Sequence, residues 1–106
     1  MPKYLITGSY SPSGIKGVLA EGGSGRREAV AKLASSVGGT LDTFYFGFGK
    51  DDFYVTVDLP GNEAAAAVSM IVGAAGGANS RVVVLLTPEQ VDAAAKLSPS
   101  YRAPGA

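Results

Sequence analysis

The chain contains no cysteine and no histidine. Their absence excludes disulfides, thiolate nucleophiles, zinc sites built from Cys or His, histidine-ligated haem and imidazole acid–base catalysis. Charge is scarce as well: charged residues make up 17% of the chain, nine basic against nine acidic, for a formal net charge of zero. The basic residues are scattered, with only Arg26 and Arg27 adjacent. Phosphate-backbone binding depends on clustered Lys and Arg, so nucleic acid is not an expected partner. Long hydrophobic runs are missing too. The longest, "AAAAVSMIVGAAGG", is too short and too rich in Ala and Gly to span a bilayer, so no membrane partner is expected. The N-terminus, "MPKYLITGSY", lacks a basic segment followed by an apolar one, and the expectation is an unprocessed, cytoplasmic chain.

What is present is a chain of 106 residues, 46% of them apolar, a size and composition that suit one domain. "KYLITGSY" (3–10) reads as a strand. "SPSG" places Ser11 as an N-cap and Pro12 at the first helical position, where a missing N–H costs nothing. Helical spacing appears at Ile15, Val18 and Leu19 and again at Val30, Leu33, Ala34 and Val37, with "EGGSG" between. One unbroken helix from 12 to 37 would run roughly 39 Å, longer than a strand of seven to nine residues at about 25–30 Å. Glycines 22, 23 and 25 are therefore expected to break it, and "VGG" (37–39) to end it.

Thr40–Phe48 and Phe53–Leu59 read as strands joined through "GKDD" as a hairpin. A helix starting near Asn62 carries Ala64, Ala67, Val68, Ile71, Val72 and Ala75 on one stripe. "GGANS" ends it and "RVVVLLT" is a continuously apolar fourth strand. "TPEQ" is a capping box, with Thr87 as N-cap, opening a short helix to about Lys96. The order is β-α-β-β-α-β with an appended helix: an α+β, ferredoxin-like domain over 1–97, followed by a Pro/Ser/Gly-rich tail at 98–106. Both crossover helices of that fold lie on one face of the sheet, and the other face is left open.

Alternation along the strands sorts their residues into two sets. Tyr4, Ile6, Phe44, Phe46, Phe48, Phe53, Val55, Val57 and Leu59 belong against the helices. Leu5, Thr7, Ser9, Leu41, Thr43, Tyr45, Tyr54, Thr56 and Asp58 belong to the open face, joined by Val83 and Leu85 or by Val82, Val84 and Leu86. This open set has no Lys, Arg or Glu, the residues a wet sheet face normally carries. Four strands give a face of about 400–500 Å², close to the largest apolar patch of a typical monomer. The expectation is a homodimer packed sheet against sheet about a two-fold axis.

Hydroxyls and a carboxylate on such a face need hydrogen-bond partners. Asp58, partly withdrawn from water, is the best candidate base, against a plain reading in which it caps the "LPGN" turn. Tyr45 and Tyr54 could polarise a substrate oxygen; Thr7, Thr43, Thr56, Tyr4 and Tyr10 are candidate ligand contacts, although strand tyrosines are mostly packing residues. "GGSGRREA" matches neither phosphate-loop pattern and reads as a helix break. Asp51 and Asp52 are explained by turn chemistry, and no metal site is expected.

"YLITGSYSPSGIKG", "GGSGRREAVAKLASSVGGTLDTFYFGFGKDDFYVTVDLP", "AAAAVSMIVGAAG" and "VVVLLTPEQVD" together make the chain resemble the GYD-domain family of small bacterial proteins. The resemblance implies a ferredoxin-like protomer of the dimeric α/β-barrel class. At the family's own motif Gly49 and Asp52 fit, while Asp51 stands where the family has tyrosine, so no role for that tyrosine carries over.

The expected function is a homodimeric binding or accessory module without a cofactor. Its cavity, between sheet and helices or between two sheets, would take a small apolar or aromatic ligand. The alternative is a cofactor-independent monooxygenase- or isomerase-like enzyme acting on an enolisable or phenolic substrate, with Asp58 as base. An interaction adaptor using the tail after Ser98 is a third reading.

Overall fold

A run of β-branched and aromatic residues opens the fold as strand β1, Lys3–Tyr10, in the computed structural model, which describes residues 1–106. The Ser11 hydroxyl then accepts the Gly14 N–H at 3.1 Å, and Pro12 starts helix α1, Pro12–Ser36. The expected break falls at Gly22, whose backbone (φ 80°, ψ 168°) lies in a region essentially reserved for glycine. Beyond the break Val30, Leu33, Ala34 and Val37 pack toward the sheet, with Ala34 buried. Before it Ile15 and Val18 are half-buried, but Leu19 points to solvent.

The remaining elements are β2 (Thr40–Phe46), β3 (Phe53–Asp58), α2 (Asn62–Ala75), β4 (Ala78–Leu85) and α3 (Pro88–Ala95). The strands form one antiparallel sheet in the order β2-β3-β1-β4, compatible with a ferredoxin-like arrangement. The core lies between sheet and helices. Tyr4, Phe53, Val55, Val57 and Leu59 are buried there with Ala34 and Ala65, each large apolar side chain contributing about 1.5–3 kcal/mol. α2 starts at the expected residue and ends on Gly76 in the left-handed region. α3 carries the expected capping box: Thr87 Oγ1 accepts the Gln90 N–H, and Gln90 Oε1 accepts the Thr87 N–H. No residue from Leu86 to Ala106 is buried.

The structure corrects several expectations. β2 ends at Phe46, and Phe48 is exposed in the turn. β4 begins at Ala78, three residues before Arg81, because the chain enters the sheet directly after the Gly76 cap. On α2 the inward row is Ala65, Val68, Val72 and Ala75, while Ala67 and Ile71 face outward. A helix apolar on nearly every side does not mark its own buried stripe.

Two corrections change the open face. A bulge at Asp42 shifts the β2 register between Leu41 and Thr43, so Leu41 pairs with Val57 and turns toward the helices. The open face also carries long cations after all. Lys3 is in step with Leu5 and opposite Asp58 and Leu85; Arg81 is opposite Thr7. Pairing of β1 with β4 settles which fourth-strand residues share that face: Val83 and Leu85.

Candidate functional site

The open face is organised by ion pairs at its two ends. At one end Lys3 Nζ donates to Asp42 Oδ2 at 2.9 Å and lies 3.1 Å and 3.2 Å from the two oxygens of Asp58. Thr56 donates to Asp42 at 3.0 Å, and the Thr43 and Thr56 hydroxyls share a 2.6 Å hydrogen bond. The hydrogen bond to Asp42, then that to Asp58, raises the Lys3 pKa above its ordinary value. The bond from Lys3, then that from Thr56, lowers the pKa of Asp42. At the other end Arg81 donates to Asp51 at 2.6 Å and to Thr7 Oγ1 at 3.4 Å. Arg81 thereby reaches from edge strand β4 across β1 to the β2–β3 turn. Between the two ends lie Leu5, Val83, Tyr54 and the exposed Tyr45.

These positions bear directly on the candidate site residues. Thr43 and Thr56 meet one another and, through Asp42 and Lys3, join Asp58. Tyr45 and Tyr54 are cross-strand partners. Asp58 sits four residues along β3 from Tyr54, about 13 Å away, so one protomer does not bring the proposed base and the tyrosines together. Asp58 is also occupied by Lys3. Thr7 is buried beneath Arg81. Tyr4 points the other way, 1% exposed in the core, where its hydroxyl donates to Asn62 Oδ1 at 2.7 Å. That bond satisfies Tyr4 at the start of α2 and makes it a packing residue.

The motif residues do structural work. The Asp52 N–H donates to the Gly8 carbonyl at 2.7 Å, its carbonyl accepts the Gly47 N–H at 2.8 Å, and its carboxylate accepts the Tyr10 N–H at 2.9 Å. Asp52 thus staples the hairpin to β1. Gly49 is exposed in the turn. The Asp51–Arg81 pair was missed at the level of sequence, since its members are 30 residues apart and the all-apolar run after Arg81 leaves open which face of the sheet Arg81 stands on.

A second feature lies on the opposite side of the sheet. Between the sheet, the later half of α1 and α2 there is a cavity of about 180 Å³ lined by 20 residues, 15 of them hydrophobic. Ile6, Phe44, Phe53, Val55 and Val82 supply its sheet wall, and Val30, Leu33, Val68 and Val72 its helix walls. Tyr10 lines it with a ring packed 5.1 Å from that of Phe53 and 6.5 Å from that of Phe46. Burial raises the Tyr10 pKa above its ordinary 10.0, against an opposing pull from Arg26. Arg26 is the one charged residue of the lining.

A small α+β protein with an apolar cavity between its helices and its sheet, and an ion-paired open face behind, is the class these features define. The chain belongs to the GYD domain family, which it matches over residues 4–95. No characterised protein matches the chain, and no solved structure does either. The family's description names a domain and no reaction. No helix is long and apolar enough to cross a membrane.

Proposed function

We propose that this protein is a binding or accessory module that holds a small apolar or aromatic ligand between its sheet and helices. The observation that carries this reading is the cavity of about 180 Å³ with a mostly hydrophobic lining. An engineered apolar cavity of about 150 Å³ takes up benzene, so the space suits a body the size of one aromatic ring. A thermal-shift screen of small aromatics, confirmed by chemical-shift changes at Phe53 and Val55, tests it. Binding at those positions is the expected result; a screen in which no ring-sized apolar compound raises the midpoint or perturbs them removes the reading.

The same proposal includes a homodimer across the open face. Support comes from the apolar centre of Leu5, Val83 and Tyr54 and the exposed Tyr45, which the ion pairs flank rather than cover. Two sheet faces would bury about 800–1,000 Å² in total, short of the roughly 1,200 Å² at which stable interfaces begin. The segment after Leu85 leaves Leu86, Val91, Leu97 and Tyr101 exposed and could extend the contact. Light scattering at micromolar concentration decides the point, a monomeric mass being the adverse outcome. The alternative, a cofactor-independent oxygenase- or isomerase-like enzyme, rests on fold analogy alone. It would require Asp58 to leave Lys3 or to meet tyrosines of a second protomer.

A further inference from the structure

The lining of the cavity carries a single charge, and its setting suggests the class of ligand. Arg26 lies four residues beyond the Gly22 break, on the cavity wall. Its only polar partner is Glu21, on the other side of the break, through one contact of 3.3 Å between Nη1 and Oε1. That contact is long for a charge-assisted hydrogen bond and leaves the other guanidinium N–H groups free of protein partners. Nearby, the Tyr10 hydroxyl is held by no hydrogen bond: burial and the charges of Arg26, Asp52 and Glu21 are what act on it. No fully buried side-chain polar atom is left without a partner in this chain, so the Tyr10 oxygen reaches accessible space.

We propose that the cavity takes a small aromatic or branched aliphatic monocarboxylate, its apolar body among Phe44, Phe53 and Val82 and its carboxylate on Arg26. The proposal rests on the cavity reading above and adds the anion. A carboxylate at that place gains the planar two-point pairing that Glu21 does not make. Tyr10, whose hydroxyl has no protein partner, lines the same cavity, and Glu21 occupies Arg26 in the ligand's absence. The apolar body fills the space that water would enter at a cost, and the charge stays at the half-exposed rim, where it need not be fully desolvated.

Titration of the full chain with benzoate, and with benzamide as the neutral isostere, followed by chemical shifts at Phe53 and Val55, tests the assignment. Benzoate is expected to bind more tightly than benzamide. Arg26→Gln should weaken benzoate by roughly tenfold to a hundredfold, weaken benzamide less, since its carbonyl is an uncharged acceptor, and leave toluene unchanged. Glu21→Gln should tighten benzoate by roughly twofold to fivefold, because the competing carboxylate is gone. Both residues are partly exposed, and an unchanged unfolding midpoint verifies that each variant is folded. Equal affinity for the two probes, or benzoate binding indifferent to both substitutions, overturns the carboxylate assignment while the apolar cavity stands. Toluene binding without benzoate binding has the same meaning. Failure of benzoate, benzamide and toluene alike refutes the cavity reading along with it.

Discussion

Replacing Arg81 with methionine tests how the open face is held together. The guanidinium donates at 2.6 Å to Asp51, whose residue is only 8% exposed, although the Arg81 side chain itself is 60% exposed. Arg81→Met keeps much of the stem and removes the charge, leaving the Asp51 carboxylate without its cation. Breaking a fully buried pair costs about 3–5 kcal/mol, and an exposed pair is worth about 0–1 kcal/mol. With one partner buried and the other wet, the expected loss is about 1–3 kcal/mol. That is a large share of the roughly 5–15 kcal/mol available to a domain of this size. Urea unfolding followed by far-UV circular dichroism, at one fixed protein concentration so that association does not contribute, reads the change. Adding Asp51→Asn to Arg81→Met should recover part of the loss, because the stranded charge is then removed. A variant within about 0.3 kcal/mol of the parent, or a double variant no better than the single one, would refute the claim that Arg81 compensates a desolvated Asp51.

Four further outcomes follow from the same geometry. Gly8→Ala should destabilise by about 1–3 kcal/mol or more, since a Cβ there would collide with the Asn79 carbonyl oxygen and come within 2.8 Å of the Phe53 ring; a thermal midpoint equal to the parent's would contradict this. Gly22→Ala should cost about 1–3 kcal/mol by backbone strain alone, because a Cβ at Gly22 meets nothing within 4 Å, so a neutral result would show that the break relaxes. Tyr4→Phe should cost about 0.5–1.5 kcal/mol in urea unfolding through loss of the bond to Asn62, with the Asn62→Ala/Tyr4→Phe double variant showing non-additivity.

The last concerns pH. The folded chain binds the Tyr10 proton more tightly than the unfolded chain, since burial raises its pKa above 10.0. That contribution to stability is complete below pH 10 and is lost as pH climbs through the raised value. Tyr10→Phe should flatten the alkaline limb of the stability profile, and an unaltered limb would contradict the assignment.

Local chemistry was legible in the chain. Ser11 and Thr87 cap the helices they precede, Gly22 breaks the first helix, and the β-α-β-β-α-β order with its paired strands follows from apolar spacing and turn residues. Each of these is decided within a few residues, by a hydroxyl three positions from an N–H or by a glycine where a side chain would be strained. The candidate residues Thr43, Thr56 and Asp58 were likewise placed on one face by strand alternation alone.

Alternation could not see the bulge at Asp42, which turns Leu41 inward and sets Asp42 within reach of Lys3. Alternation does place Lys3 in step with Leu5 and Thr7, but it could not see which face Arg81 takes, since that depends on how β4 pairs with β1. The Asp51–Arg81 bridge and the cavity edged by Arg26 and Tyr10 join residues from several elements. Period and capping are properties of neighbours along the chain, so the sequence carried them unaided. Register, charge pairing and empty space between layers arise only when distant segments meet, and tertiary structure alone decided them.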